Sequence, residues 1–270
     1  MTNPAEIHVT SVANPAVKLA RALSERRRVR YRERAFLAEG LRVLQTLVDA
    51  SLPLHTLFLE RERRIELDQY ALEALSDAAE RVLLVDSDIL RLIADTEAPQ
   101  PILGVVAMPA RPAISAASLG IALDGVRDPG NLGSIVRSSV ACGVDLIGLL
   151  PGTTDPFGPK AVRASAGLVG RAPLVRADSL AALLESTFNQ TPNVVLADAA
   201  ADLDYDSEDW SAVSCLVVGG ETGGLSPATF AIDSRSVRIP MMAGVESLNA
   251  GVAAAVVLFE AARQRRRHAL

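Results

Sequence analysis

Short apolar runs alternate with amphipathic stretches along nearly the whole chain. Residues 14–24 carry apolar positions at helical spacing, with Pro15 in the first turn. Residues 41–50 place Leu41, Leu44, Leu47 and Val48 on one face, which predicts a second helix. Runs at 35–38, 54–59, 82–85 and 102–108 read as strands. Helices are expected at 67–79 and, capped by Asp86-Ser87-Asp88, up to Ala94. That makes a small α/β unit over residues 1–108, with residues 1–12 polar and frayed. The stretch 109–118 is Pro-bearing and Ala-rich and reads as a linker. The alternation then restarts over 119–270. Strands are expected at 119–123, 144–150, 172–175, 194–197, 216–218 and 236–239, and helices at 131–141, 159–168, 180–188 and 252–265. Alternating strands and helices imply a mostly parallel sheet covered on both faces, with ligands gathering beyond the strand C-termini.

The chain has 270 residues, 49% of them hydrophobic and 22% charged, so both units can bury a core. Aromatics are only 4%, which leaves Leu, Val, Ile and Ala to build it. The formal net charge of -5 argues against a wholly basic surface, yet residues 18–42 hold nine basic and three acidic side chains. Within them, SERRRVRYRER is too charged to be core and puts Tyr31 among six arginines. It fits a solvated helix face, and it fits a phosphate-and-base contact surface in which Arg26, Arg27, Arg28 and Arg30 bind RNA. A second basic cluster, Arg263 and Arg265 to Arg267, ends the sequence. Cys142 and Cys215 lie in apolar surroundings without CxxC spacing and read as core residues of a reducing compartment. His8, His55 and His268 are scattered, so neither a metal site nor histidine catalysis is expected. The first residues lack a signal-peptide pattern, and the apolar run 250–259 is too short to span a bilayer. These features point to the cytoplasm, away from any membrane.

Three loops share one logic: apolar strand, Gly- or Pro-rich turn, a few polar side chains, helix. They are DPGNLGSIVR at 128–137, GGETGGLS at 219–226 and IPMMAGVESLN at 239–249. None is a dinucleotide fingerprint or a P-loop, since GxGxxG is missing after the first strand and no Gly-Lys-Ser/Thr occurs. Asn131 is placed to cap the helix behind the first loop. Glu246, Ser247 and Asn249 stand at the start of the last helix, where free N–H groups suit an anionic or polar ligand. By themselves, Arg137 also fits a solvent-facing helix position and Glu221 a turn.

Together and in this order the loops resemble the motifs of the SpoU (also called TrmH) family of RNA ribose 2′-O-methyltransferases, within the SPOUT class. The matching residues are Asp128-Pro129-x-Asn131-x-Gly133-x-Ile135-x-Arg137, Gly219-x-Glu221-x-x-Gly224-Leu225, and Ile239-Pro240-Met241 with Ser247-Leu248-Asn249. FGPKAVRASAG at 157–167 is similar to the family's linking segment, and the resemblance spans residues 119–267. The N-terminal unit is similar, more loosely, to the small RNA-binding domain many members carry. Ala250-Gly251 departs from the usual Val-Ser, in a dipeptide that packs a helix turn.

The resemblance implies a trefoil knot in the C-terminal domain and S-adenosylmethionine as methyl donor, held by Gly219, Ile239 and Leu248. It implies transfer to a ribose 2′-hydroxyl of structured RNA by a homodimer; the accessory N-terminal unit favours ribosomal over transfer RNA, and the scattered histidines argue against a metal. Arg137 occupies the place of the family's proposed base. A guanidinium keeps its proton, so anchoring a phosphate and stabilising the oxyanion suits it better. Asn131 and Glu221 would orient Arg137 or the ribose, and Ser247 and Asn249 would bond the substrate or hold the last loop. Three alternatives stay open: a tRNA 2′-O-methyltransferase, a base methyltransferase of another SPOUT branch, and a non-catalytic RNA-binding protein. For the dimer, two apolar sets are expected to meet across a two-fold axis: Val252, Ala255, Val256, Phe259 and Ala262 on one helix, and Leu132, Ile135, Val136 and Val140 on another.

Overall fold

In this computed structural model, residues 6–221 and 223–268 are described. The chain divides into two compact units, residues 1–110 with 155–171 and residues 111–154 with 172–270.

The first unit runs β1 (Ile7–Val9), α1 (Pro15–Glu25), α2 (Arg27–Glu33), β2 (Ala35–Glu39), α3 (Leu41–Asp49), β3 (Leu54–Glu60), α4 (Gln69–Ala78), β4 (Val82–Val85), α5 (Ser87–Ile93) and β5 (Ile102–Ala107). Its sheet order is β1-β4-β3-β5-β2, with β5 antiparallel to both neighbours. The expected fraying of residues 1–12 does not hold for β1, which pairs with β4 and buries Val9; residues 1–5 lie outside the described ones. Three residues are too few to display a period of two. Asn14 caps α1 by accepting the Ala16 N–H at 2.9 Å. Val17, Ala20 and Leu23 of α1 then pack with Phe58, Leu83 and Leu103 of the sheet.

The arginine-rich stretch gives the first correction. It forms α2, and the helix turns Val29 and Arg30 inward, so it is not all solvated surface. Arg30 meets Asp155 Oδ2 with Nε at 2.8 Å and Nη2 at 2.7 Å, and its Nη1 donates to the carbonyls of Leu23 and Ser24. A fully bonded guanidinium can be buried; an unpaired one cannot.

The second unit runs β6 (Leu119–Asp124), α6 (Pro129–Cys142) and β7 (Leu146–Leu149). The chain then leaves for the first unit, where it forms α7 (Pro159–Ala164), and returns as β8 (Leu174–Arg176). It continues with α8 (Leu180–Thr187), β9 (Asn193–Ala197), β10 (Leu203–Asp204), β11 (Ser214–Gly219), α9 (Pro227–Phe230), β12 (Arg235–Arg238) and α10 (Ala250–His268). The strand order is β10-β12-β9-β11-β6-β7-β8 and every pairing is parallel. Accordingly β6 and β11 are apolar runs buried on both faces, without alternation.

Two further expectations change here. The second unit is not continuous from residue 119, because 155–171 packs on the first. Phe157 lies against Phe36 with ring centroids 5.3 Å apart, and Arg163 pairs with Asp95 at 3.1 Å. The helix expected over 159–168 stops at Ala164, with Ala166 and Gly167 both at positive φ. The cap of α6 is Asp128, whose side chain accepts the Asn131 N–H at 2.9 Å, with Pro129 in the first turn. Asn131 is therefore released from capping, and its side chain turns inward, 7% exposed.

Candidate active site

Beyond the C-terminal ends of β9, β11 and β12 lies a cavity of about 610 Å³, inside the range of about 300–1,000 Å³ usual for small-molecule sites. Its walls include the three expected cofactor residues, Gly219, Ile239 and Leu248, together with Glu221, Ser247 and Asn249. A parallel sheet opens its crevice on this side, so strand topology alone puts the second and third loops around one space.

Backbone packing explains the glycines. A Cβ at Gly219 would lie 2.5 Å from the carbonyl carbon and oxygen of Gly224, and 2.8 Å from Leu225 N. The glycine is therefore demanded by the loop folding back on itself, closed by Gly224 N–H to Gly220 C=O at 2.9 Å, and not by a ligand alone. Asp124, which sequence reasoning passed over, fixes the far end of this loop. Its buried carboxylate accepts Ser226 N–H and Thr229 Oγ1–H, each at 2.7 Å. The only signal was an acidic residue closing an otherwise apolar strand.

One polar residue from each loop joins at the rim. Asn131 Nδ2 donates to Glu221 Oε1 at 2.5 Å; Asn249 Nδ2 donates to Asn131 Oδ1 at 2.7 Å and to Glu221 Oε1 at 3.2 Å. Asn249 Oδ1 meanwhile accepts the N–H groups of Gly251 and Val252 at 3.0 and 3.2 Å, capping α10. Asn131 thus orients Glu221 and Asn249. Its described side-chain bonds go to Glu221 and Asn249 and not to Arg137.

Arg137 stands apart. It is exposed on α6, does not line the cavity, and no described residue bonds its guanidinium. Ser247 lines the cavity but is exposed. Of the expected RNA contacts, Arg26, Arg27 and Arg28 are exposed, whereas Arg30 is buried on Asp155 and cannot reach RNA. Tyr31 is also committed, its hydroxyl bonding Asp155 at 3.0 Å. The two dimer sets fare differently. Leu132, Ile135 and Val136 are at most 1% exposed, and Ala262 is buried. They are core because α10 packs along α6 within the same chain, which leaves Val252 at 49% and Phe259 at 50% exposure. Among the described residues no cluster of His, Cys, Asp or Glu could hold a metal, and no helix is long and apolar enough to cross a membrane.

A parallel sheet with a small-molecule cavity at its C-terminal edge, joined to a smaller α/β unit with a basic helix, defines an α/β enzyme with an accessory substrate-binding domain. The family model described as SpoU rRNA Methylase family matches residues 118–259, and the MRM3-like substrate binding domain matches residues 14–104. The chain belongs to the SpoU rRNA Methylase family, whose chemistry is RNA methylation with S-adenosylmethionine. It is 33% identical to the 23S rRNA (uridine(2479)-2′-O)-methyltransferase of Streptomyces viridochromogenes, over 97% of this chain and 94% of that protein. The crystal structure of the SpoU methyltransferase AviRb from the same organism, in complex with AdoMet, superposes with a TM-score of 0.83 at 31% identity, covering 94% of this chain and 98% of that one. An AdoMet-bound rRNA methyltransferase from Sinorhizobium meliloti gives 0.78 at 33% identity, covering 98% and 99%.

Proposed function

We propose that the protein transfers a methyl group from S-adenosylmethionine to a ribose 2′-hydroxyl of ribosomal RNA in the cytoplasm. The observation that carries this is the Asn131–Glu221–Asn249 junction at the rim of a cavity walled by Gly219, Ile239 and Leu248. The cavity suits the donor: Ile239 and Leu248 offer apolar walls for an adenine, and at Gly219 and Gly220 bare backbone reaches the space. Bound there, the donor supplies an electrophilic methyl on a sulfonium sulfur. The chain's own part is positioning. Glu221 holds both asparagine amides, so loops from three parts of the sequence keep one geometry. Ser247 offers a free hydroxyl to the substrate, and Arg137 anchors a phosphate and stabilises the developing alkoxide. Arg26, Arg27 and Arg28 give the first unit its RNA-facing charge.

A homodimer and a trefoil knot belong to this reading. Val252 and Phe259 form an exposed apolar stripe on α10, and a two-fold axis there would cover them. Such an axis would also let Arg137 serve a neighbouring site. The knot rests on family membership and on the order β12-β9-β11-β6, which sets the last loop beside the second. The test is methylation of 23S rRNA by the full chain with isotopically labelled donor, followed by nuclease digestion and mass spectrometry. Label on a ribose 2′-oxygen is the expected result. Label on a base nitrogen, or label on transfer RNA only, would overturn the corresponding part.

A further inference from the structure

Phenylalanine is scarce here, six residues in 270, and the fold spends it almost entirely on the core. Phe36, Phe58, Phe157 and Phe188 are at most 8% exposed; only Phe230, at 54%, and Phe259 are left open. Phe259 lies on the α10 stripe already described. Phe230 lies elsewhere: it ends α9 and is the one aromatic among the described residues lining the cavity. Its mounting is rigid. Asp124 ties down Ser226 and Thr229, Thr229 is 2% exposed, and the Phe230 N–H donates to Ser226 C=O at 3.3 Å. With Thr229 pinned inward, the next residue, Phe230, stands at the cavity wall. Ile239 and Leu248 line the same space. An aromatic face and aliphatic side chains around one crevice suit a flat heteroaromatic ring.

We infer that Phe230 is a cofactor-binding residue that stacks on the adenine of S-adenosylmethionine, an inference resting on the assignment of this cavity to that donor. An aromatic ring adds face-to-face stacking on a nucleobase to simple burial, and neither Ile239 nor Leu248 can supply it.

Calorimetry on the full chain tests this with three probes: S-adenosylmethionine, 5′-methylthioadenosine, which lacks the amino-acid arm, and methionine. Phe230→Ala should weaken the first two alike, by on the order of ten-fold. Phe230→Tyr should restore them, and Phe230→Leu, which keeps apolar area but no ring face, should recover only part. The loss of adenine absorbance near 260 nm on binding should shrink with Phe230→Leu, a signature that a packing role would not move. Since Phe230 is half exposed, these variants should fold, and Phe230→Leu keeps the test open if Phe230→Ala does not. Binding of S-adenosylmethionine by Phe230→Ala within two-fold of wild type overturns the inference. So does a loss seen with S-adenosylmethionine but not with 5′-methylthioadenosine, which would put the ring on the amino-acid arm. So, too, does dissociation of a dimer with donor affinity intact. If wild type binds neither nucleoside, the assignment of the cavity itself fails instead.

Discussion

Replacing Asn249 by Ala removes two separate functions of one side chain. Its Oδ1 caps α10 through Gly251 and Val252, and losing an Asn cap costs about 1 kcal/mol, within a range of about 0.5–2. Its Nδ2 is shared by Asn131 and Glu221. Asn131 is buried, so its Oδ1 would lose a partner that water cannot easily replace, at a further cost of about 1–3 kcal/mol. The sum is about 2–4 kcal/mol. In a unit of this size that lowers the melting temperature by roughly 5–12 °C. Asn249→Ser separates the two effects, because a serine hydroxyl can cap but cannot span to Asn131; it should recover about 1 kcal/mol. Differential scanning calorimetry of the full chain reads the transition of the second unit, and donor affinity measured alongside should fall with Asn249→Ala. Coupling between Asn249→Ala and Glu221→Gln in a double-mutant cycle should exceed about 0.5 kcal/mol. An Asn249→Ala protein that melts within a degree of wild type and binds donor equally well would refute the view that this junction holds the loops.

Arg137→Ala should abolish methylation in the labelled-donor assay while leaving donor affinity intact, since Arg137 does not line the cavity. Arg137→Lys should also lose most activity if the planar fork is needed; near-full rate would show that a point charge suffices. Changing Arg26, Arg27 and Arg28 together to Gln should flatten the salt dependence of RNA binding by about 0.7–0.9 per lost phosphate contact. Arg30→Gln alone should instead destabilise the first unit by stranding Asp155, so an unchanged melt with a reduced salt slope would contradict its buried role. Burial pushes the Cys215 thiol up to about 12 and also raises the Cys142 thiol, with Arg266 opposing. At pH 8 Cys215 stays protonated in the folded chain, and a thiol reagent should modify it only after unfolding; prompt labelling would refute its burial.

Much of the architecture was legible because strands of a parallel sheet are apolar throughout and helices are not. Runs such as 119–123 and 216–218 stand out without any tertiary information, although the second strand extends over Ser214–Gly219 once paired. The elements that escaped are those whose existence depends on partners. β1 and β10 are two or three residues held by a neighbouring strand, and α9 is four residues pinned by Asp124. In the candidate site, motif order points to Glu221, Asn131 and Asn249, whose side chains the fold brings together, but it does not reveal which atoms meet. Asn131 looked like a cap because cap chemistry is local, while its bond to Glu221 crosses 90 residues. Arg30 departs from the expected RNA contact for the same reason. Its neighbours in sequence are exposed arginines, and the carboxylate that makes its burial possible is 125 residues away. Phe230 belongs to none of the three motifs, so nothing local in the sequence marks it as facing the cavity.

The excursion of residues 155–171 bears on how the chain is born. Among the described residues Arg30 is ion-paired with Asp155 alone, and the Phe36 ring meets Phe157 only when residue 157 exists. An emerging polypeptide that has exposed residues 1–110 therefore holds an incomplete unit with a stranded inward cation. Completion waits until residue 171 has left the ribosome, some sixty residues later, which at about 5–20 residues per second is a delay of roughly 3–12 seconds. During that interval β6, α6 and β7 are made but lack the strand β11 on which β6 later pairs. Both units are then unfinished together, and the first gains its last segment well before the second, which needs β11 and α10.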